Sequence, residues 1–397
     1  MRVFFLRLST VLLFMVLLVG CSGSGGSSPG ERLQASVDAN WNNYKDVHGL
    51  PGGGMAVYLE TPTGNYFASS GMAAGVDQNT RFRIASNTKT FTAAAIMLLQ
   101  QQGKLNINNS IDADIPGTSN PYVPNTPQYN IPNKTSITIK QLLSHTAGVF
   151  DVTNDNIPAS CAVPYAGQNY VGYQGAINPN YQFSPDELVS VDATCQLSYF
   201  PPGPNYKYSN TDYSLLAIII ERVSGLSYDQ FVVQNLITPN ALASTTIPML
   251  GTDQTIPSPF NPGYIWYNNM FGDATESNMS ANIAEGNIIS TPADLARWIK
   301  RLITGQAGPN AASVAAMTTI TPLSGSNNYG LGISYTAGLG YGHEGAHIGY
   351  LSLMDYDPTA NVTTILYFNV WDFANLKTDQ GTLLRKAAND ARAAVGY

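Results

Sequence analysis

Five glycines, at positions 338, 340, 342, 345 and 349, fall within twelve residues near the C-terminal end of this chain. Each is unfavourable in a helix interior by about 1 kcal/mol relative to alanine, so the stretch reads as strand and turn. It also carries His343-Glu344-Gly345-Ala346-His347, the His-Glu-x-x-His string of zinc proteases. That string works on a helix, where two imidazoles four apart share a face and converge on one ion. On a strand, residues four apart face the same side but sit about 13 Å apart, too far to grip one ion. The zinc reading is set aside, and no metal or other cofactor is expected.

Strand patterns cluster at both ends of the chain. Residues 54–60 and 65–70 read as a hairpin with Gly64-Asn65 at its bend. Residues 329–335, 347–356 and 362–370 read as strands, with a turn over 357–361. An amphipathic helix is predicted over 31–49, stopped by Gly49; another runs from Asn87 to Gly103, with Phe91, Ala94, Ala95 and Leu98 on one face; a capped helix follows Ser290-Thr291-Pro292; and a last helix covers about 377–394. The middle holds helical pieces between long loops rich in Pro, Asn and Tyr. The predicted class is α/β (α+β): an antiparallel sheet flanked by helices, with an inserted, mostly helical lobe. The sheet lobe takes about 31–95 and 281–397, the helical lobe about 96–280.

Residues 1–20 have a charged start and a short apolar centre, the pattern of a secretory signal peptide. Leu18-Val19-Gly20-Cys21 resembles a bacterial lipobox, which implies cleavage before Cys21 and lipid on its thiol and new amino group. Residues 21–30 read as the lipidated cysteine and a flexible tether. The expected location is the bacterial cell envelope, outside the cytoplasm, with the membrane as a partner through Cys21. Removing Arg2 and Arg7 with the signal moves the formal charge from -7 to -9; such a chain offers no basic patch, and no nucleic-acid partner is expected. Cys161 and Cys195 are the remaining cysteines, and in an oxidising envelope such a pair is expected to form a disulfide.

Ser86-Asn87-Thr88-Lys89 opens the second helix. Serine and lysine three apart lie one turn from each other on one face, so a lysine of lowered pKa can take the serine proton. The run FRIASNTKTFTA (82–93) resembles the nucleophile motif of the penicillin-binding and class C β-lactamase-like serine hydrolases. The resemblance continues in ITIKQLLSHTAGV (137–149), FPPGPNYKYSNTDYSLLAIIIERVSG (200–225) and GHEGAHIGYLS (342–352), and so covers most of the chain in the family's order. It implies Ser86 as the acylated nucleophile, Lys89 as its proton acceptor and Tyr208 as the group that passes protons to the leaving group. Asn210 would hold a substrate carbonyl or Lys89. Two other Tyr-x-Asn triplets, at Tyr267 and Tyr367, lack the Pro-Gly turn and the helix start, and are read as packing aromatics.

His343-Glu344-Gly345 aligns with the family's Lys-Thr-Gly element in a histidine variant. His343 would supply a polar or charged group near Tyr208, Gly345 would leave room for substrate, and the Ala346 N–H would join that of Ser86 in an oxyanion hole. His145 and His347 are read as structural and His48 as a surface residue. Glu344 stands where relatives offer a hydroxyl; facing the cleft, it would repel carboxylate-bearing substrates such as β-lactams. The expected function is therefore a lipid-anchored serine hydrolase acting on an ester or amide bond of a small-molecule or peptide-like substrate. D-alanyl-D-alanine carboxypeptidase or β-lactamase activity is the near alternative, and a non-catalytic peptidoglycan- or partner-binding lipoprotein is the alternative from another class.

Overall fold

Strands from the two chain ends pair with each other. The computed structural model describes residues 26–322 and 328–397; the predicted signal segment and Cys21 lie outside the described residues. Strands β1 (Met55–Thr61) and β2 (Gly64–Ser70) form a hairpin. Thr61 pairs with Gly64, so the bend is Pro62-Thr63 rather than the predicted Gly64-Asn65. A two-residue pair joins β3 (Phe82–Arg83) to β6 (Ile289–Ser290). From the far end of the chain come β7 (Ser334–Thr336), β8 (Gly340–His347), β9 (Tyr350–Asp357) and β10 (Val362–Phe368). The sheet order is β2-β1-β10-β9-β8-β7, antiparallel throughout. The predicted strand over 347–356 is in fact the end of β8, a turn at Ile348-Gly349, and β9. Of the stretch 329–335 only its end is strand.

Alternation along β9 divides the interior in two. Leu351 and Leu353 join the cluster under α1 (Pro29–His48) and α10 (Gly381–Val395), with Leu33, Val37, Trp41 and Leu384. Tyr350, Met354 and Tyr356 face the larger cluster built around α2 (Thr88–Gln101), α6 (Asn210–Ser224) and α8 (Pro292–Ile303). The start of α1 is set by a capping box between Ser28 and Glu31, and its end by Gly49 at φ 64°. The tether predicted to run to residue 30 therefore gives way to helix by Pro29. Helix α2 is not amphipathic as predicted: every residue from Thr88 to Leu99 is buried, because the sheet, α6 and α8 surround it. Among the described residues no helix is long and apolar enough to cross a membrane.

The inserted region contains α3 (Ile139–Leu143), α4 (Tyr170–Ile177), α5 (Pro185–Cys195) and α7 (Tyr228–Val232); α9 (Ala311–Thr318) follows α8. Neither α4 nor α9 was marked by the sequence pattern. The region also holds a hairpin of β4 (Tyr264–Tyr267) and β5 (Met270–Asp273), on which β11 (Val370–Asp372) adds in parallel. Asn268 and Asn269 have φ of 51° and 60°, the two-residue hairpin turn that asparagine tolerates. Tyr267 is thus a partly exposed hairpin-tip residue that packs edge-on against Phe373 at 4.9 Å, while Tyr367 is buried and stacks on Phe82 at 4.1 Å.

Cys161 and Cys195 are bonded, with Cα atoms 5.5 Å apart. The bridge borders a separate small core containing Phe150, Val152, Phe183 and Leu188, the staple that so much loop requires. Replacing both cysteines by serine is expected to lower unfolding free energy by about 2–4 kcal/mol, read by denaturant titration under non-reducing conditions.

Candidate active site

The segment before α2 is bent by backbone strain. Ala85 has φ 50°, a left-handed conformation that costs a non-glycine residue of order 1 kcal/mol. It places Ser86 on a 3₁₀ turn (Ala85–Asn87) leading into α2. The turn is pinned from three directions: Ile84 N–H donates to Ile288 O at 3.1 Å, and Asn87 Nδ2 donates to Ile84 O and to Ser352 Oγ, each at 2.8 Å. Ser86 is half-buried, while Ile84, Ala85 and Asn87 are buried. The nucleophile candidate is thus the solvent-facing residue of a rigid turn.

One turn on, Lys89 is fully buried. Its Nζ donates to Asn210 Oδ1 at 2.7 Å and to Glu285 O at 2.8 Å, and lies 3.4 Å from Ser86 Oγ. Burial lowers its pKa to about 8, against the opposing pull of Glu285 and Asp151. A neutral amine has two protons and one lone pair. With the protons committed to Asn210 and Glu285, the lone pair is left for the serine hydroxyl. Asn210 Nδ2 in turn donates to Thr153 Oγ1 at 2.8 Å. Of the two roles predicted for Asn210, the structure therefore shows the hold on Lys89.

Tyr208 lies under the lysine, whose Nζ is 4.9 Å from the ring centroid. Its hydroxyl sits beside Ser86 but makes no hydrogen bond of good geometry. Burial pushes this phenol well above its usual range, so it holds its proton at neutral pH. Behind it, His145 packs 4.3 Å from the Tyr208 ring. The Nδ1 of His145 accepts from Ser209 N–H at 3.3 Å and meets Asp212 Oδ2 at 2.9 Å. An Nδ1 that accepts from a backbone amide carries no proton, so Asp212 supplies the one between them. Burial pushes Asp212 well up and His145 well down, which fits a neutral pair rather than an ion pair.

His343 is brought to the same place, 6.3 Å from Tyr208 between ring centroids, but not as a cation. Its Nδ1 bonds Glu344 O, which can only accept, so Nδ1 carries the ring proton and Nε2 accepts from the Tyr329 hydroxyl at 2.8 Å. Burial and the nearby Lys89 push its pKa down to about 3. His347 bonds Ile348 O and Ser277 Oγ, as a structural residue would. His48 stacks against Tyr44 beside Asp379.

Two expectations for this strand are corrected. Glu344 is turned to the other face of β8, where Arg385 of α10 grips it with two bonds of 2.5 and 2.6 Å. Odd and even strand residues point to opposite faces, and His343 takes the cleft side. Glu344 is therefore not a substrate-binding residue, and its charge cannot repel carboxylate substrates at the cleft. Gly345 does not make room for substrate either. A Cβ there would lie 2.3 Å from Ile84 O and 2.9 Å from Asn87 Nδ2, so the missing side chain lets the serine turn sit against the strand.

Ala346 is exposed at the end of β8. His347 and Tyr350 close a two-residue hairpin, and in an antiparallel ladder the residue before such a closing pair turns its N–H away from the partner strand, here Ala346 away from β9. Among the described residues β7 pairs with residues 340–342 and no strand pairs with that edge beyond Gly342, beside the serine turn. Sequence reasoning missed Thr153, Glu285 and Tyr329, each of which has no motif around it.

A Beta-lactamase family model matches residues 37–389. Penicillin-binding protein 4* of Bacillus subtilis is 32% identical over 173 residues, 43% of this chain and 31% of that protein; the chain thus spans less than a third of that relative's length. Among solved structures, a D-stereospecific amidohydrolase from Streptomyces is 25% identical with a TM-score of 0.71, covering 90% of this chain and 98% of the other. The D-amino acid amidase of Ochrobactrum anthropi shares the fold, at 21% identity and a TM-score of 0.70, over 92% and 98% of the two chains. The matched span includes the serine turn, Lys89, Tyr208 and strand β8, and the chain belongs to the Beta-lactamase family.

Proposed function

We propose that the protein hydrolyses amide or ester bonds through an acyl-enzyme on Ser86, in the cell envelope, anchored by lipid at Cys21. The observation that carries the catalytic part is Lys89 Nζ, held by Asn210 and Glu285 O with its third direction toward Ser86 Oγ. Ser86 Oγ attacks the substrate carbonyl carbon as its proton passes to neutral Lys89. The developing oxyanion is received by the N–H groups of Ser86 and Ala346. Tyr208, protonated by burial, gives a proton to the leaving nitrogen or oxygen as the carbonyl bond to it breaks, and is reprotonated from Lys89. Water then adds to the acyl carbon with Lys89 again as base, releasing the acid and Ser86.

With His343 neutral, the cleft offers no fixed cation at the position where the resembled family carries lysine. Amides and esters lacking a free carboxylate are therefore preferred over penicillins and D-Ala-D-Ala peptides, on different grounds from the Glu344 argument. The similarity to an amidohydrolase at 25% identity supports the amide reading.

The test is covalent trapping: the protein is treated with a fluorophosphonate and with neutral acyl esters, then digested and weighed. One adduct on the peptide containing Ser86 is expected; no adduct, or an adduct elsewhere, removes the proposal. The mass of the mature N-terminal peptide in the same digest tests the anchor, which is lost if Cys21 carries no lipid.

A further inference from the structure

We propose that Glu285 is a positioning residue for this acyl transfer: its buried carboxyl gains and loses the proton that decides whether Lys89 is free to act as base. The inference rests on the Ser86 and Lys89 reading above.

The residue is 1% exposed, on the segment that also binds the lysine through its own carbonyl at 2.8 Å. Its carboxyl is poorly supported. Oε1 accepts from Asn282 Nδ2 at 3.0 Å, and Oε2 is buried with no hydrogen-bond partner. A buried carboxylate with an unpartnered oxygen is costly; the charge of Lys89 and the side chains of Asn282 and Thr153 favour the ionised form, and burial outweighs them.

The surrounding groups set its role. Those that face Lys89 are Glu285, Asp151 and Asp212, with His145, His343, Tyr208 and Tyr213. Asp212 is neutral and donates to His145, and both histidines are neutral. Asp151 accepts from Thr153 N, Thr153 Oγ1, Asn154 N, Asn154 Nδ2 and Asn210 N, the donor pattern of a carboxylate. The Thr153 hydroxyl proton is thereby committed to Asp151, while its oxygen accepts from Asn210. A second negative charge beside Asp151 is disfavoured, and burial pushes Glu285 up to about 8, the same value to which burial lowers Lys89.

The negative charge of ionised Glu285 favours a proton on Lys89. As pH rises, ionisation of the carboxyl retains the ammonium, which delays the appearance of the free base. Removing the carboxyl removes that delay, so Lys89 should become neutral at lower pH.

The test compares wild type with Glu285→Gln, which mimics the protonated acid. Two readouts are followed against pH: the rate of Ser86 labelling by a fluorophosphonate, and the ¹³Cε shift of Lys89 in ¹³C-lysine protein, assigned with Lys89→Met. In Glu285→Gln the lysine midpoint and the acid limb of labelling should both move down by about one pH unit, with labelling at pH 6 about tenfold faster. Glu285→Met should do the same and serves if the glutamine variant does not fold. A folded variant whose Lys89 midpoint is unmoved overturns the proposal, even if its activity falls. Failure to label Ser86 in wild type would instead remove the acyl-enzyme reading, while the lysine titration would still decide the role of Glu285.

Discussion

Replacing Lys89 with methionine is expected to lower the acylation rate by about 10³–10⁴-fold with substrate binding little changed. Among the described residues the amine is the group bonded toward Ser86 Oγ whose protonation can change near neutral pH: Tyr208 is held protonated by burial, and His343 is turned to Tyr329. Methionine keeps the length and apolar bulk of the lysine stem, so the buried helix should remain packed. Arginine should not rescue, because its guanidinium stays charged and cannot accept the serine proton. Ser86→Ala should lose as much activity or more, and the double variant should be no worse than Ser86→Ala alone, since the two groups act as one unit. Single-turnover labelling and ester hydrolysis check both statements. Additive losses in the double variant would show that lysine acts elsewhere.

The contrast between Ser86 and Glu344 shows which parts of this site were legible in the sequence. Ser86 and Lys89 are linked by helical spacing alone, so three residues of separation imply proximity wherever the helix lies. Tyr208 and Asn210 needed a motif and its Pro-Gly context to be separated from two other Tyr-x-Asn triplets. Glu344 was misplaced because a strand has two faces, and motif alignment alone does not say which face meets the nucleophile. The alternation that puts His343 on the cleft side puts Glu344 under Arg385, and Arg385 lies on the last helix, far away in sequence. Glu285, Thr153 and Tyr329 join the site only through tertiary packing, with neither periodicity nor motif to mark them.

The same division holds for the fold. Hairpins and helix ends were readable where their signals are local: Gly49 after the first helix, Thr291 before Pro292, the turn after Asp357; Ser28 of the capping box with Glu31 falls in the stretch read as tether. The β4–β5 hairpin was missed because its strands are short and aromatic and resemble the surrounding loops; its signal was the Asn268-Asn269 pair. Helix α2 was predicted with one apolar face, Phe91, Ala94, Ala95 and Leu98, yet its threonines are inside as well. Those threonines are buried because partners exist for them: Thr90 Oγ1 bonds Asn87 O and Trp298 Nε1, and Thr92 Oγ1 bonds Ala284 O. A polar side chain with such partners can sit inside, and single-sequence patterning does not show the partner.

Gly345→Ala should be more damaging than its single methyl group suggests. The added carbon would stand 2.3 Å from Ile84 O and 2.8 Å from Ser352 Oγ, and the first of these is backbone that cannot rotate away. Ile84 O is also the acceptor for Asn87 Nδ2, which braces the turn, and for Ser352 Oγ, which fixes it to β9. Relief therefore requires the turn and strand β8 to separate, carrying Ser86 away from Ala346 N–H. Overpacking of this kind costs about 1–3 kcal/mol of stability, and displacement of the nucleophile by about 1 Å lowers the acylation rate by about 100-fold. Ala346→Gly, one residue along, has no such neighbour to strike and keeps its N–H, so it should retain most activity. Urea unfolding and Ser86 labelling of the two variants check the pair. Wild-type labelling by Gly345→Ala would mean that the contact between turn and strand does not position the nucleophile.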